Sequence, residues 1–383
     1  MSYDQESFLK GLAVGRILWK PPRVIEASDT FIFSIDLTDA SSLDFKIRWG
    51  TSTAAGYPGK IVDWGDGSTS GPDLTISTHT YSEHDAYRIV VKGGFFSFDV
   101  GDSGDHTQRA FVTSIDTPFN FFVPDDATTY HPMYDIDFAD YTRLKRLPKG
   151  LYKRYQDIGG QIDDVTFDYC RSLEHLPDDL FRNAHFYSRP ASWYRDFSFR
   201  YCTSLLEIPG NLFNSTGFSE LTGDHVGPDF YMCTALTRIP DRLFSRFTNC
   251  KGFGTVFAGC SGLKEVGNEV FKGCSSGLYF SGVFKNCTAL EQIGAGLFDG
   301  CESATRFDEA FQNCTALKAV PSDLFDDCPD IADVRRCFKN DSAIVSAVPE
   351  LWLRGTIQEP DNYECFSGCV NASNYADIPA GWK

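Results

Sequence analysis

Phe311 to Phe325 reads FQNCTALKAVPSDLF, and its frame, F-x-x-C-x-x-L-x-x-[IV]-[PG]-x-x-[LV]-F, recurs from Phe199, Phe230, Phe257 and Phe284, and from Phe167 with Leu176 in the [IV] slot. A degenerate copy starts at Phe138 with Tyr141 in the Cys slot. Two more close the array, one from Phe338 with Asp341 replacing Cys and one from Phe366 with Cys369, Pro379 and Trp382. From Phe230 to Phe338 each copy starts 27 residues after the last, while earlier copies carry insertions. A fixed period of this length means that each unit buries its apolar face only by stacking on its neighbours. Within a unit, L-x-x-[IV]-P reads as a short strand ended by proline, which has no ladder N–H to give. A second extended piece follows, as at Thr305 to Phe307 and Leu278 to Phe280. Nine such rungs at strand spacing make a rod on the order of 40 Å long.

The period also gives the cysteines an address. Cys170, Cys202, Cys233, Cys260, Cys287 and Cys314 share one offset, and Cys274, Cys301 and Cys328 share another. A free thiol is a small buried hydrophobe suited to a tight turn stacked on its own copy, so packed ladders are expected, with disulfides between rungs as the alternative. Zinc is not expected, because the spacing is F-x-x-C rather than C-x-x-C and the pair Cys365 and Cys369 has no nearby His.

Leu, Ile and Phe at set offsets are the signature of a leucine-rich-repeat solenoid. The pattern F-x-x-C-[TS]-x-L-x-x-[IV]-P-x-x-L-F-x-x-C resembles the BspA-like class of these repeats, found in bacterial surface adhesins and in bacteriophage tail or capsid proteins. The resemblance covers residues 138–383 and implies a recognition scaffold without fixing its ligand.

Upstream the texture changes. Phe31 to Leu37, Leu43 to Trp49 and Tyr87 to Val91 alternate with period two between Gly, Pro, Asp and Ser clusters, which predicts an antiparallel sandwich. Its centre runs IVDWGDG (61–67), THTY (78–81) and AYRIVV (86–91). That trio resembles the PKD-type immunoglobulin-like domain over residues 24–100. The fold class expected is therefore mainly β, a PKD-type sandwich followed by a solenoid of about nine rungs, with residues 101–137 as linker and cap. Asp63, Asp66 and Asp73 have the composition of a calcium loop, yet Asp-Gly is itself a turn former and a structural turn is the expected reading. His79 and Tyr81 are expected to pack at a sandwich corner.

Residues 1–23 form a third unit. Phe8, Leu12, Gly15 and Trp19 fall on one helical face, Gly11 and Gly15 leave a notch for close approach, and Pro21-Pro22 ends the helix. An apolar helix ahead of a complete sandwich is read as an anchor that docks into a partner or self-associates, with packing on the sandwich as the alternative. Met1 to Ser7 carries acids where a secretion signal has a basic segment, so signal-peptide export is not expected.

Charge and motif content narrow the function classes. With 35 Lys+Arg against 52 Asp+Glu, the net charge of −17 disfavours nucleic acid and anionic membrane surfaces as partners. No stretch is apolar enough to span a bilayer, so membrane insertion is not expected. The seven His residues form no H-E-x-x-H, and neither a nucleophile elbow nor a Walker loop is present, so the expectation is a protein with no enzymatic activity, cofactor or metal. Extracellular-type domains without an export signal point to a virion protein that assembles in the host cytoplasm. In that reading the helix binds other virion proteins, copies associate on the particle, and the solenoid meets a host-surface glycan or protein as a tail adhesin or a capsid fibre. A bacterial surface adhesin is the alternative, and an accessory module of a glycan-active enzyme a further one. The extra residues between Phe181 and Phe199 hold Tyr187, Arg189, Trp193, Tyr194 and Arg195, which either cover a wider rung from water or form an aromatic and arginine set of the kind that dominates recognition surfaces.

Overall fold

Alternation in the first part of the chain becomes two antiparallel sheets around one core. β1 (Thr30–Asp36) turns Phe31, Phe33 and Ile35 inward, and β2 (Asp44–Arg48) does the same with Phe45 and Ile47, as the period of a pleated strand requires. β3 (Lys60–Asp63), β4 (Thr69–Asp73), β5 (Ile76–Thr80), β6 (Ala86–Lys92), β7 (Asp99–Val100) and β8 (Val112–Ile115) follow. One sheet has the order β4-β3-β6-β1-β8 and the other β5-β2-β7. Trp49, Trp64 and Phe98 are buried in this core, and the Trp49 indole donates to Ser77 Oγ at 2.8 Å. The structure, a computed structural model, describes residues 30–49, 60–73, 75–93, 98–102, 104–119, 136–153, 161–162, 165–182, 185–186, 197–222 and 227–383.

The first sheet runs beyond the expected boundary at residue 100. β8 pairs antiparallel with β1, Phe33 opposite Ile115, because Val112 and Ile115 need the same core as Phe33. Its other edge lies parallel to the first rung. Ser114 bridges Arg146, Lys145 N–H donates to Thr113 O at 3.0 Å, and Phe119 N–H donates to Leu151 O at 3.0 Å. The Phe119 ring lies 5.2 Å from Phe31, 5.9 Å from Phe138 and 5.8 Å from Tyr152. One apolar core therefore continues from sheets to rungs, and β8 serves as the rung before the first. Arg109 closes the polar side of this junction, its side chain 4% exposed, with Nε to Asp99 at 3.0 Å and Nη1 to Asp137 at 2.8 Å and to Ala139 O at 2.9 Å.

From residue 136 onward the described residues form a stack of rungs joined by short parallel ladders. β9 (Ile136–Asp137), β11 (Val165–Thr166), β13 (Phe197–Ser198) and β14 (Pro228–Asp229) form one ladder, and β10 (Gln161–Ile162) pairs with β12 (His185–Phe186). β15 (Arg238–Ile239), β16 (Glu265–Val266) and β17 (Gln292–Ile293) form another, at the L-x-x-[IV] position. The second extended piece is present as the bridges Gly252 to Tyr279, Tyr279 to Arg306 and Arg306 to Asp333. The first Phe of every rung, Phe138 through Phe366, stacks on its neighbour with ring centroids 4.8 to 5.7 Å apart. Each buried ring contributes about 1.5–3 kcal/mol by leaving water, and each stacked pair about 0.5–1.5 kcal/mol beyond that.

The thiols form ladders of weak hydrogen bonds. Cys170, Cys202, Cys233, Cys260, Cys287 and Cys314 each donate Sγ–H to the carbonyl of the leading Phe one rung back, at 3.1 to 3.3 Å. Cys274 and Cys301 do the same to Phe244 and Phe271, both at 3.3 Å. All thirteen cysteines are free and buried, and burial pushes the Cys369 thiol up to about 12. Thiolate is the reactive form, so iodoacetamide is expected to leave the native protein unlabelled at pH 8 and to label all thirteen cysteines after denaturation without reductant. Mass spectrometry reads the outcome, and five or six bridged pairs would sink the ladder.

Rung eight breaks this pattern. Asp341 takes the Cys slot, is 0% exposed, and has no hydrogen-bond partner for either carboxyl oxygen among the described residues. Burial holds its carboxyl well above the usual range; the nearby Cys314 N–H opposes this only weakly, since it donates to Phe311 O at 3.1 Å.

Candidate functional site

Every rung reverses sharply between its leading Phe and the Cys slot, through one residue with positive φ. The series is Asp140, Tyr169, Tyr201, Met232, Gly259, Asn286, Asn313, Asn340 and Gly368, with φ from 60° to 89°. The turn is fixed by the stack, because the N–H of this residue bonds the next rung, as from Tyr169 to Arg200 O at 2.8 Å and from Asn286 to Gln312 O at 2.8 Å. Glycine enters this backbone region without cost, and asparagine visits it routinely. In rungs six to eight the asparagines add a ladder of their own, Asn313 Nδ2 to Asn286 Oδ1 at 2.7 Å and Asn340 Nδ2 to Asn313 Oδ1 at 2.8 Å.

Rungs two to four depart from that economy. Tyrosine in the left-handed region costs about 1–2 kcal/mol, yet it occupies the slot twice in succession. Tyr169 and Tyr201 stack at 4.7 Å and 6°, and Tyr231 meets Tyr201 edge-on at 5.5 Å. The Arg171 guanidinium lies 5.8 Å from the Tyr169 ring centre and that of Arg200 5.1 Å from Tyr231. Beneath them Asp168 accepts from the Ser198 hydroxyl and from Arg200 N–H at 2.9 Å, while burial raises its carboxyl above the ordinary value. The ring faces are covered by one another and by arginine; Tyr169 is exposed, Tyr201 and Tyr231 are half-buried, and Arg200 is half-exposed with its Nε 3.8 Å from Asp229. This is a hydrogen-bonding surface with aromatic stiffness, a combination that binds at low entropic cost.

The residues expected from sequence are not those of the tyrosine edge. Phe8, Gly11, Leu12, Gly15 and Trp19 lie outside the described residues, as do Tyr187, Arg189, Trp193, Tyr194 and Arg195. In the WGDG turn Asp63 accepts from Gly65 N–H at 3.1 Å, and Asp66 accepts from the Ser68 N–H at 2.9 Å, from its hydroxyl at 2.6 Å, and meets His79 Nε2 at 2.7 Å. Those bonds, led by the Ser68 hydroxyl, lower the Asp66 carboxyl to about 2. His79 stacks on Trp64 at 5.0 Å, and Tyr81 OH donates to Trp64 O at 3.0 Å. Ser68, His79 and Asp66 have the composition of a nucleophile and base, but the serine proton is directed to Asp66 and the same imidazole nitrogen faces both partners. The cluster is a structural knot that closes the turn. Asp73 contributes backbone pairing to Lys60 in β4, opposite β3. Among the described residues no group of three His, Cys, Asp or Glu could hold a metal ion, and no helix is long and apolar enough to cross a membrane.

Sequence reasoning passed over the tyrosine edge, although its signal was present: Asn-Cys or Gly-Cys in rungs five to seven against Tyr-Cys in rungs two and three. Comparison with family models gives no match, and comparison with curated proteins gives none. Among solved structures the chain is similar to a leucine rich cell surface protein from Faecalibacterium prausnitzii, at 14% identity and a TM-score of 0.18, over 61% of this chain and 73% of that one. A superposition that loose assigns neither fold family nor function, and what stands is a mainly β structure with almost no helix among the described residues.

Proposed function

We propose that this chain is a non-enzymatic recognition protein of a bacteriophage particle. A BspA-like leucine-rich-repeat solenoid presents the binding surface, a PKD-like sandwich carries it, and residues 1–23 anchor it to other virion proteins, with copies associating on the particle. The observation that carries the recognition role is the stacked pair Tyr169 and Tyr201 in a left-handed slot that asparagine or glycine fills in rungs five to nine and Asp140 and Met232 fill in rungs one and four. Backbone strain retained at an exposed position is a pointer to function, because folding alone favours removing it. Thirteen free thiols favour assembly in a reducing cytoplasm over an exported adhesin.

Asparagine at both positions is the residue that rungs six to eight already use. The variant Tyr169→Asn with Tyr201→Asn relieves about 1–2 kcal/mol of strain per site and loses about 0.5–1.5 kcal/mol of ring stacking. Its melting transition is expected within a few degrees of wild type, while binding to host cells falls at least about tenfold, a loss of about 1.4 kcal/mol. Unchanged cell binding removes the edge from consideration. Labelled antibody on purified virions tests the location, and absence from the particle overturns the virion reading.

A further inference from the structure

The stack carries a second polar feature away from the tyrosines. Between rungs three and four, at the foot of the inserted segment that follows Phe213, lies a cleft of about 400 Å³ lined by Gly210, Asn214, Asp241, Arg242, Ser245 and Arg246. That volume is within the range of small-ligand sites, roughly 300–1,000 Å³. Its lining is not of the usual apolar kind, since no aliphatic or aromatic side chain contributes.

The charges in the cleft divide into committed and free. Arg242 pairs with Glu269, which also takes Lys272. Asp241 accepts from Asn268 N–H at 3.0 Å and pairs with Arg238 at 3.3 Å. Arg246 has no acidic partner among the described residues, and there the Ser245 hydroxyl and the Asn214 amide make no side-chain hydrogen bond. Arg246 thus sets an uncompensated guanidinium beside a hydroxyl and an amide in one cleft. A guanidinium offers two parallel N–H groups to a carboxylate. The uncommitted hydroxyl and amide match the alternating donors and acceptors of a sugar ring, whereas a peptide would find no apolar pocket for a side chain.

We propose that this cleft binds an acidic sugar unit of a polysaccharide, its carboxylate on Arg246 and its ring hydroxyls on Ser245 and Asn214. The site is separate from the tyrosine edge and does not depend on it. Isothermal titration of the full chain with an oligomer of glucuronic acid, against a glucose oligomer of equal length, sodium acetate and an acidic peptide, tests it. The uronic acid oligomer is expected to bind at least tenfold tighter than the other three. Arg246→Gln is expected to abolish that preference. Gly210→Leu fills the cleft from a position where an added Cβ meets only Pro240, at 3.6 Å, and is expected to abolish binding in a protein with an unchanged melting transition. Tyr169→Asn with Tyr201→Asn should leave uronic acid binding intact, so failure of this site and failure of the tyrosine edge are told apart. Equal binding of acidic and neutral oligomers, equal binding of acetate, stronger binding of the peptide, no binding at millimolar concentration, or a preference that survives both cleft variants overturns the proposal.

Discussion

Replacing Asp341 with cysteine is expected to stabilise the protein, by about 1–3 kcal/mol at pH 4 from removing an unsatisfied buried carboxyl and by more at higher pH. The new thiol would reach the Phe311 carbonyl, as Cys314 reaches Phe284 and Cys369 reaches Phe338. The pH dependence follows from the raised pKa of Asp341. Above about pH 4 the unfolded chain releases this proton while the folded chain retains it, so unfolding gains about 1.4 kcal/mol for each pH unit until the folded value is passed. Wild-type stability from this group therefore falls as pH rises. The titratable neighbours, Cys314, Cys337, Cys365 and Cys369, are thiols whose own values burial has raised, so they do not titrate between pH 4 and 8. Urea unfolding at pH 4, 6 and 8 should show the gap between variant and wild type widening with pH, and Asp341→Asn should widen likewise. A gap that stays constant would mean that the carboxylate is hydrated or paired.

Removing Arg109 should cost about 3–5 kcal/mol, the range for taking one partner from a buried ion pair. Its guanidinium bonds Asp99 of the sheets and Asp137 of the first rung, and its flat face lies 5.6 Å from the centre of the buried Tyr141 ring. In Arg109→Ala two carboxylates are left facing each other across the junction without a cation. Arg109→Lys should recover less than half of the loss, because a single ammonium cannot direct separate N–H groups to Asp99, Asp137 and Ala139 O. Equilibrium unfolding measures both. A loss below about 1 kcal/mol in the alanine variant would place this pair with solvated surface bridges.

The period of 27 made the stack legible from Phe230 to Phe338, since phenylalanine, leucine and cysteine each return to one stacking environment. The WGDG and HTY motifs were legible as a turn and a corner, but the bond from Asp66 to His79 was not, because nothing in residue order states that β5 brings His79 over Trp64. The double role of β8 was hidden for a similar reason. Val112 to Ile115 alternates like any short strand, and its second partner, Arg146, is an exposed basic residue with no apolar pattern to announce pairing. At the tyrosine edge the obstacle was the sign of φ. Asparagine and glycine announce a left-handed turn, whereas tyrosine hides one, and only comparison between rungs reveals that Tyr169 and Asn286 occupy the same slot.

The place of β8 bears on self-association through open strand edges. A sheet that stops and a stack that starts each present unpaired N–H and C=O groups, which template addition of a second molecule. In this chain the two edges close each other: β8 satisfies β1 on one side and the first rung on the other. Cutting the chain between them would expose both at once, so the separated halves should aggregate where the joined protein remains dispersed.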